Sequence, residues 1–145
     1  MIYPERYGQW DDEIGLYSSA DVPVGGYDLI CIGTPPDSHL DLAIKALEEA
    51  PKALLIEKPI CGPDLARAQE LFELAAAGNT EVFTGYDHVI GKVAVKTREL
   101  TESTLLGEIE TIDVEFREHW GGIFAAHSWL DGPAASYLGD WRRGG

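Results

Sequence analysis

Basic residues are scarce in this chain. Eleven lysines and arginines stand against 25 aspartates and glutamates, giving a formal net charge of -14 over 145 residues. Nucleic-acid binding needs a basic face to neutralise phosphates, so that class is excluded. Cysteine is nearly absent as well. Cys31 and Cys61 make no disulfide framework, and both belong to or follow apolar runs, where free cysteine acts as a small hydrophobe. Missing too is any apolar run near the ~18–20 residues of a membrane span. The opening Met1-Ile2-Tyr3-Pro4-Glu5-Arg6 lacks the basic region and apolar core of a secretory signal, so a cytoplasmic protein is expected. Finally, no Gly-x-Gly-x-x-Gly stretch occurs anywhere, and with it goes the usual phosphate cradle at a strand–helix turn.

What is present begins with Leu54-Leu55-Ile56-Glu57-Lys58-Pro59. A short apolar run between turn signals reads as a strand buried on both faces, as in a parallel sheet. Proline cannot continue a ladder and holds the preceding residue extended, so Lys58 stands at the strand's exit. Upstream, Leu29-Ile30-Cys31-Ile32 is a second such run, ended by Gly33-Thr34-Pro35-Pro36. Asp37 or Ser38 then caps a helix whose Leu40, Ala43, Ile44 and Leu47 form one apolar stripe. Residues 28–58 thus make one right-handed β-α-β unit.

The pattern repeats. Gly62-Pro63 is expected to open a helix with Leu65, Ala68, Phe72 and Ala75 inward, stopped by Gly78-Asn79. Glu81-Val82-Phe83-Thr84-Gly85-Tyr86 reads as a third strand, followed by a helix from about Lys92 to Leu106 with Val93, Thr97 and Leu100 inward. Between Glu110 and Arg117 the period changes: Ile112, Val114 and Phe116 alternate with polar residues, which predicts a strand with one wet face. That change marks a second domain from about residue 107. Residues 14–17 are a candidate short strand; the stretch from Trp120 onward shows no period.

Three strand exits converge on one edge of this sheet: Thr34-Pro35-Pro36, Glu57-Lys58-Pro59 and Tyr86-Asp87-His88. In open α/β sheets ligands bind in the crevice beyond the carboxyl ends of the strands. Each exit alone has a plain structural reading, as solvated charges or, for His39, a helix cap. Three in consecutive units point to a site. His119 and His127 lack a compact ligand spacing, so no metal site is expected.

The ordered trio Gly33-Thr34-Pro35-Pro36-Asp37-Ser38-His39, Glu57-Lys58-Pro59 and Gly85-Tyr86-Asp87-His88 resembles the glucose–fructose oxidoreductase / inositol 2-dehydrogenase family of NAD(P)-dependent oxidoreductases. The resemblance implies an α/β protein: the C-terminal half of a Rossmann-type parallel sheet followed by the start of an α/β open-sheet substrate domain. Residues 1–106 would be a partial dinucleotide-binding domain lacking its first β-α unit, and 107–145 the truncated beginning of the substrate and dimerisation domain. The Gly-rich turn would lie upstream of Met1, and the family's aspartate and general-base histidine beyond Gly144-Gly145.

The resemblance also implies roles. Lys58 matches the catalytic lysine that hydrogen-bonds the reacting oxygen beside the nicotinamide. Glu57 matches an acid near the nicotinamide ribose. Thr34, Pro35 and Pro36 match the turn against the cofactor, and His39 a histidine near it. Asp87 stands where the family usually has asparagine; an ionised aspartate can only accept hydrogen bonds. Trp141 and Arg142 resemble a tryptophan–arginine pair near cofactor or substrate. The same motif leads us to expect a cis Lys58–Pro59 bond, which bends the chain sharply. The implied cofactor is NAD or NADP, the substrate a sugar or cyclitol, and the full-length form a homo-oligomer with no nucleic-acid or membrane partner. The other reading left open is a non-catalytic Rossmann-like ligand-binding protein.

Overall fold

Leu29–Ile32 (β1), Ala53–Ile56 (β2) and Glu81–Thr84 (β3) form a single parallel sheet in the order β1-β2-β3. The computed structural model describes residues 8–115, 117, 119–128 and 130–143. The strands run in step: Leu29 lies level with Ala53 and Glu81, and Ile32 with Ile56 and Thr84. Their carboxyl ends therefore emerge at one level, which gives the chain a common edge. The strand spans follow the apolar runs, although 53–58 and 81–86 lose their last two residues to the exits.

His39–Glu48 (α1) and Ala68–Ala77 (α2) complete the core. Ile32, Leu54 and Ile56 of the sheet meet Leu40 and Ile44 of α1 and Leu71 of α2, all buried. Fully burying a side chain such as Leu54 or Ile56 contributes about 1.5–3 kcal/mol. The stripe predicted for α1 is observed, with Leu47 half-buried at its margin.

Among the described residues only one face of the sheet is covered, which corrects the expectation of burial on both. Successive strand residues point to opposite faces. Ile30, Leu54 and Val82 face the helices, whereas Leu29 and Phe83 on the other side are 53% and 50% exposed and Cys31 is exposed with them. Cys31 is thus no core hydrophobe, while Cys61 is.

Other expectations shift. The helix predicted from Gly62-Pro63 begins only at Ala68, because Leu65 (φ 54°) and Arg67 (φ 59°) are left-handed and break the helical path. Leu71 consequently takes the core position, and Leu65 and Phe72 are exposed. Arg67 then ties the helices together, its guanidinium 2.5 Å from Asp41 of α1 and 2.7 Å from Glu70 of α2. Lys92–Glu102 (α3) and a 3-10 turn at Thr104–Leu106 occupy the predicted third helix, but Val93 is 81% exposed, Thr97 is exposed and, within α3, only Ala94, Leu100 and Thr101 are half-buried.

Residues 14–17 and 108–115 form no strand. An isolated alternating segment offers its N–H and C=O groups to no neighbour, and Ile112 and Val114 stay exposed. Phe116 of that predicted strand lies outside the described residues, as does Trp129 farther on. The stretch without a period folds into Trp120–Ala126 (α4) and 3-10 turns at Pro133–Ala135, Tyr137–Gly139 and Trp141–Arg143. The Lys58–Pro59 bond is cis.

Candidate functional site

Parallel strands that end in step place their exit turns side by side. The last rungs are Glu57 N–H to the Ile32 carbonyl at 2.9 Å and Gly85 N–H to the Ile56 carbonyl at 2.7 Å. Beyond them opens a cavity of about 480 Å³, within the usual size range of ligand pockets. Gly33, Thr34, Pro35, Pro36, Glu57 and Lys58 line it from the sheet side; His127, Leu130, Ala135, Ser136, Tyr137 and Arg143 close it from the C-terminal segment.

The β1 exit is stiffened from several directions. Pro35 is extended and Pro36 starts a 3-10 turn. Ser38 stands at the N-cap of α1 but makes no cap bond, contrary to expectation. Its hydroxyl lies 2.8 Å from both Thr34 Oγ1 and the Pro35 carbonyl, bracing the turn instead. At the β2 exit, Glu57 Oε2 accepts from the Lys58 N–H at 3.1 Å. Its carboxylate also lies over Gly85, where a Cβ would stand 3.1 Å from Oε1. Exposed Glu57 and Lys58 thus present an acceptor and an ammonium donor side by side at the crevice.

His39 is fully buried, and both ring nitrogens are engaged: Nδ1 lies 2.8 Å from the Pro59 carbonyl and Nε2 2.6 Å from that of Thr34. The ring stands beneath the two exits, with both nitrogens turned to backbone carbonyls inside the protein. Asp87 is exposed in the 3-10 turn after β3 and does not line the cavity. Trp141 is 69% exposed and also stands apart. Arg142 packs over the Trp141 ring at 5.8 Å and faces a neighbouring cavity of about 260 Å³, together with Asp37, Cys61 and Arg67. There burial, and then the charge of Asp64, pushes the Cys61 thiol above its ordinary pKa.

The cation that does join Lys58 is Arg143, one residue past the pair singled out in the sequence. Its Nε and Nη2 donate to Asp37 Oδ2 at 3.0 and 2.8 Å, fastening the C-terminal segment to the β1–α1 turn. Tyr137 and Ser136 also line the cavity and were not anticipated; a run without periodicity carries no signal that would single them out.

A parallel sheet with polar exits around a crevice defines the class as an α/β nucleotide-binding domain of Rossmann type. Comparison with known proteins gives the family. A family profile described as "Oxidoreductase family, NAD-binding Rossmann fold" matches residues 12–86, about half of the chain. The uncharacterized oxidoreductase YhhX of Escherichia coli (strain K12) is 36% identical over 115 residues, which is 78% of this chain and 33% of that protein. The chain therefore spans about a third of the length of the curated relative it matches. No solved structure matches. This chain belongs to the glucose–fructose oxidoreductase / inositol dehydrogenase family of NAD-binding oxidoreductases.

Proposed function

We propose that the complete gene product is an NAD(P)-dependent dehydrogenase that moves a hydride between a secondary alcohol carbon of a sugar or cyclitol and nicotinamide. The observation that carries this reading is the pairing of Glu57 and Lys58 at the exit of β2, facing the cavity walled by the Gly33–Pro36 turn. The residues present suit the nicotinamide end of the cofactor. Glu57 offers carboxylate oxygens that accept from ribose hydroxyls, and Gly85 leaves room for that carboxylate. The turn 33–36, stiffened by its prolines, supplies a fixed wall.

The nicotinamide, when bound, accepts the hydride. The protein's task is to handle the oxygen. Lys58 donates a hydrogen bond to the reacting hydroxyl and stabilises the negative charge that develops on it, while the hydroxyl proton passes to a separate general base, a histidine in this reading. The crevice walls hold the alcohol carbon and exclude water. Residues 1–106 belong to the cofactor domain in this reading, residues 107–145 open the substrate domain, and the whole enzyme works as a cytoplasmic homo-oligomer.

The test is NAD and NADP reduction, followed by absorbance, with a panel including glucose and myo-inositol. Lys58→Ala is expected to lower kcat by about 10²–10⁴-fold, the range for a positioned proton-transfer group, with cofactor affinity nearly unchanged. Equal losses in kcat and cofactor affinity would make Lys58 a binding residue and refute the role given to it. No reduction with any member of the panel would remove the sugar or cyclitol substrate.

A further inference from the structure

The sheet's own hydrogen bonds stop at the site's edge. Glu57 N–H to the Ile32 carbonyl is the last backbone rung between β1 and β2. Past it, residues 33–34 and 58–59 diverge as the two walls of the crevice. The link that spans them there is a side chain: His39, with Nε2 at 2.6 Å from the Thr34 carbonyl and Nδ1 at 2.8 Å from the Pro59 carbonyl. Both partners are backbone atoms, one on each exit turn, and the second belongs to the residue after Lys58. The ring is fully buried, so water does not compete for either bond.

Its origin adds rigidity. His39 is the first residue of α1, whose Leu40, Ala43 and Ile44 are buried in the core. A ring mounted on a packed helix start has little freedom to follow a moving loop. Carbonyl oxygens only accept, so a neutral ring answers one of the two and a doubly protonated ring answers both. In either form the imidazole sets how far apart the two turns can stand.

We propose that His39 is a positioning residue, which through the Thr34 and Pro59 carbonyls holds the two exit turns at the spacing that aims Lys58 into the crevice. This rests on the reading of Lys58 as the group at the reacting oxygen. It assigns His39 no contact with cofactor or substrate.

The experiment uses the complete gene product and NADH as the probe. Acetylation of Lys58 by acetic anhydride is followed by mass spectrometry with and without saturating NADH, and NADH affinity is measured separately by fluorescence. In the wild type NADH should slow acetylation of Lys58 by about tenfold or more, because a nicotinamide seated beside Lys58 covers most of its amine against the reagent without bonding to it. His39→Phe keeps an aromatic ring but has no donor. It should still bind NADH, with affinity changed less than about threefold, yet lose most of the protection, because a displacement on the order of 1 Å suffices to uncouple a positioned group. His39→Gln, which retains an amide donor, should recover part of it. Full protection in both variants would overturn the proposal. Failure of both variants to bind NADH would make His39 a folding residue and overturn it equally. If the wild type binds NADH without protecting Lys58, it is the reading of Lys58 that fails, so the two failures are distinguishable.

Discussion

Gly85→Ala adds one methyl group at the crevice, and its effect follows from three distances. The new Cβ would stand 3.1 Å from Glu57 Oε1, 3.3 Å from Cδ and 3.4 Å from Cα. These contacts are a few tenths of an ångström tighter than ordinary van der Waals packing, so the carboxylate must give by that much. The backbone cannot supply it cheaply. Glu57 N–H is held by the Ile32 carbonyl at 2.9 Å and Gly85 N–H by the Ile56 carbonyl at 2.7 Å. The carboxylate must therefore rotate away from the Lys58 N–H and from the crevice, at an off-rotamer cost of about 0.5–1.5 kcal/mol. If that carboxylate accepts from a ribose hydroxyl, its displacement loses a charge-assisted bond worth about 1.5–3 kcal/mol, or roughly 10- to 150-fold in NADH affinity. NADH fluorescence titration of the complete gene product measures the change, with circular dichroism to verify the fold. Glu57→Ala should weaken binding to a similar degree, and the double variant should be little worse than either single one, since both act on one contact. A folded Gly85→Ala protein whose NADH affinity stays within about twofold of wild type would refute the reasoning.

Three further outcomes are expected. Leu54→Ala, at a fully buried position in the central strand, should cost about 2–5 kcal/mol in urea unfolding; a loss below about 1 kcal/mol would show that the site can collapse around the smaller residue. The 145-residue chain exposes 11493 Å², against roughly 7,400 Å² for a compact domain of its mass, and should therefore bind the apolar dye ANS and melt broadly; a sharp melt at high temperature without dye binding would contradict this. The Cys61 thiol, with its pKa raised by burial and by Asp64, carries less thiolate at a given pH than free cysteine, so its alkylation by iodoacetamide should keep accelerating above the pH where free cysteine levels off. Alkylation of Cys61 at the free-cysteine rate at pH 7.5 would count against that account, and exposed Cys31 should be modified first.

The sequence by itself determined the strands, their parallel order and the edge where the chemistry gathers. Those features are local: an apolar run between turn residues, a helical stripe, then another run, with Glu57-Lys58-Pro59 forced to the exit by the proline. What it could not determine depends on partners distant in the chain. The alternation at residues 110–117 is a strand signal, but a ladder needs a neighbour, and residues 108–115 pair with no strand among the described residues. The core position in α2 passed from Phe72 to Leu71 because two left-handed residues, Leu65 and Arg67, delayed the helix start. Arg143 rather than Arg142 reaches the cavity of Lys58, because its ion pair with Asp37, far away in the chain, decides which of two adjacent arginines turns inward. For His39 the residue type and helix position were legible, but its work was not: it spans two carbonyls that become neighbours only once the two strands lie side by side. Periodicity reports which face of an element is apolar; only the packed chain decides what that face, or a single ring beneath it, has to hold.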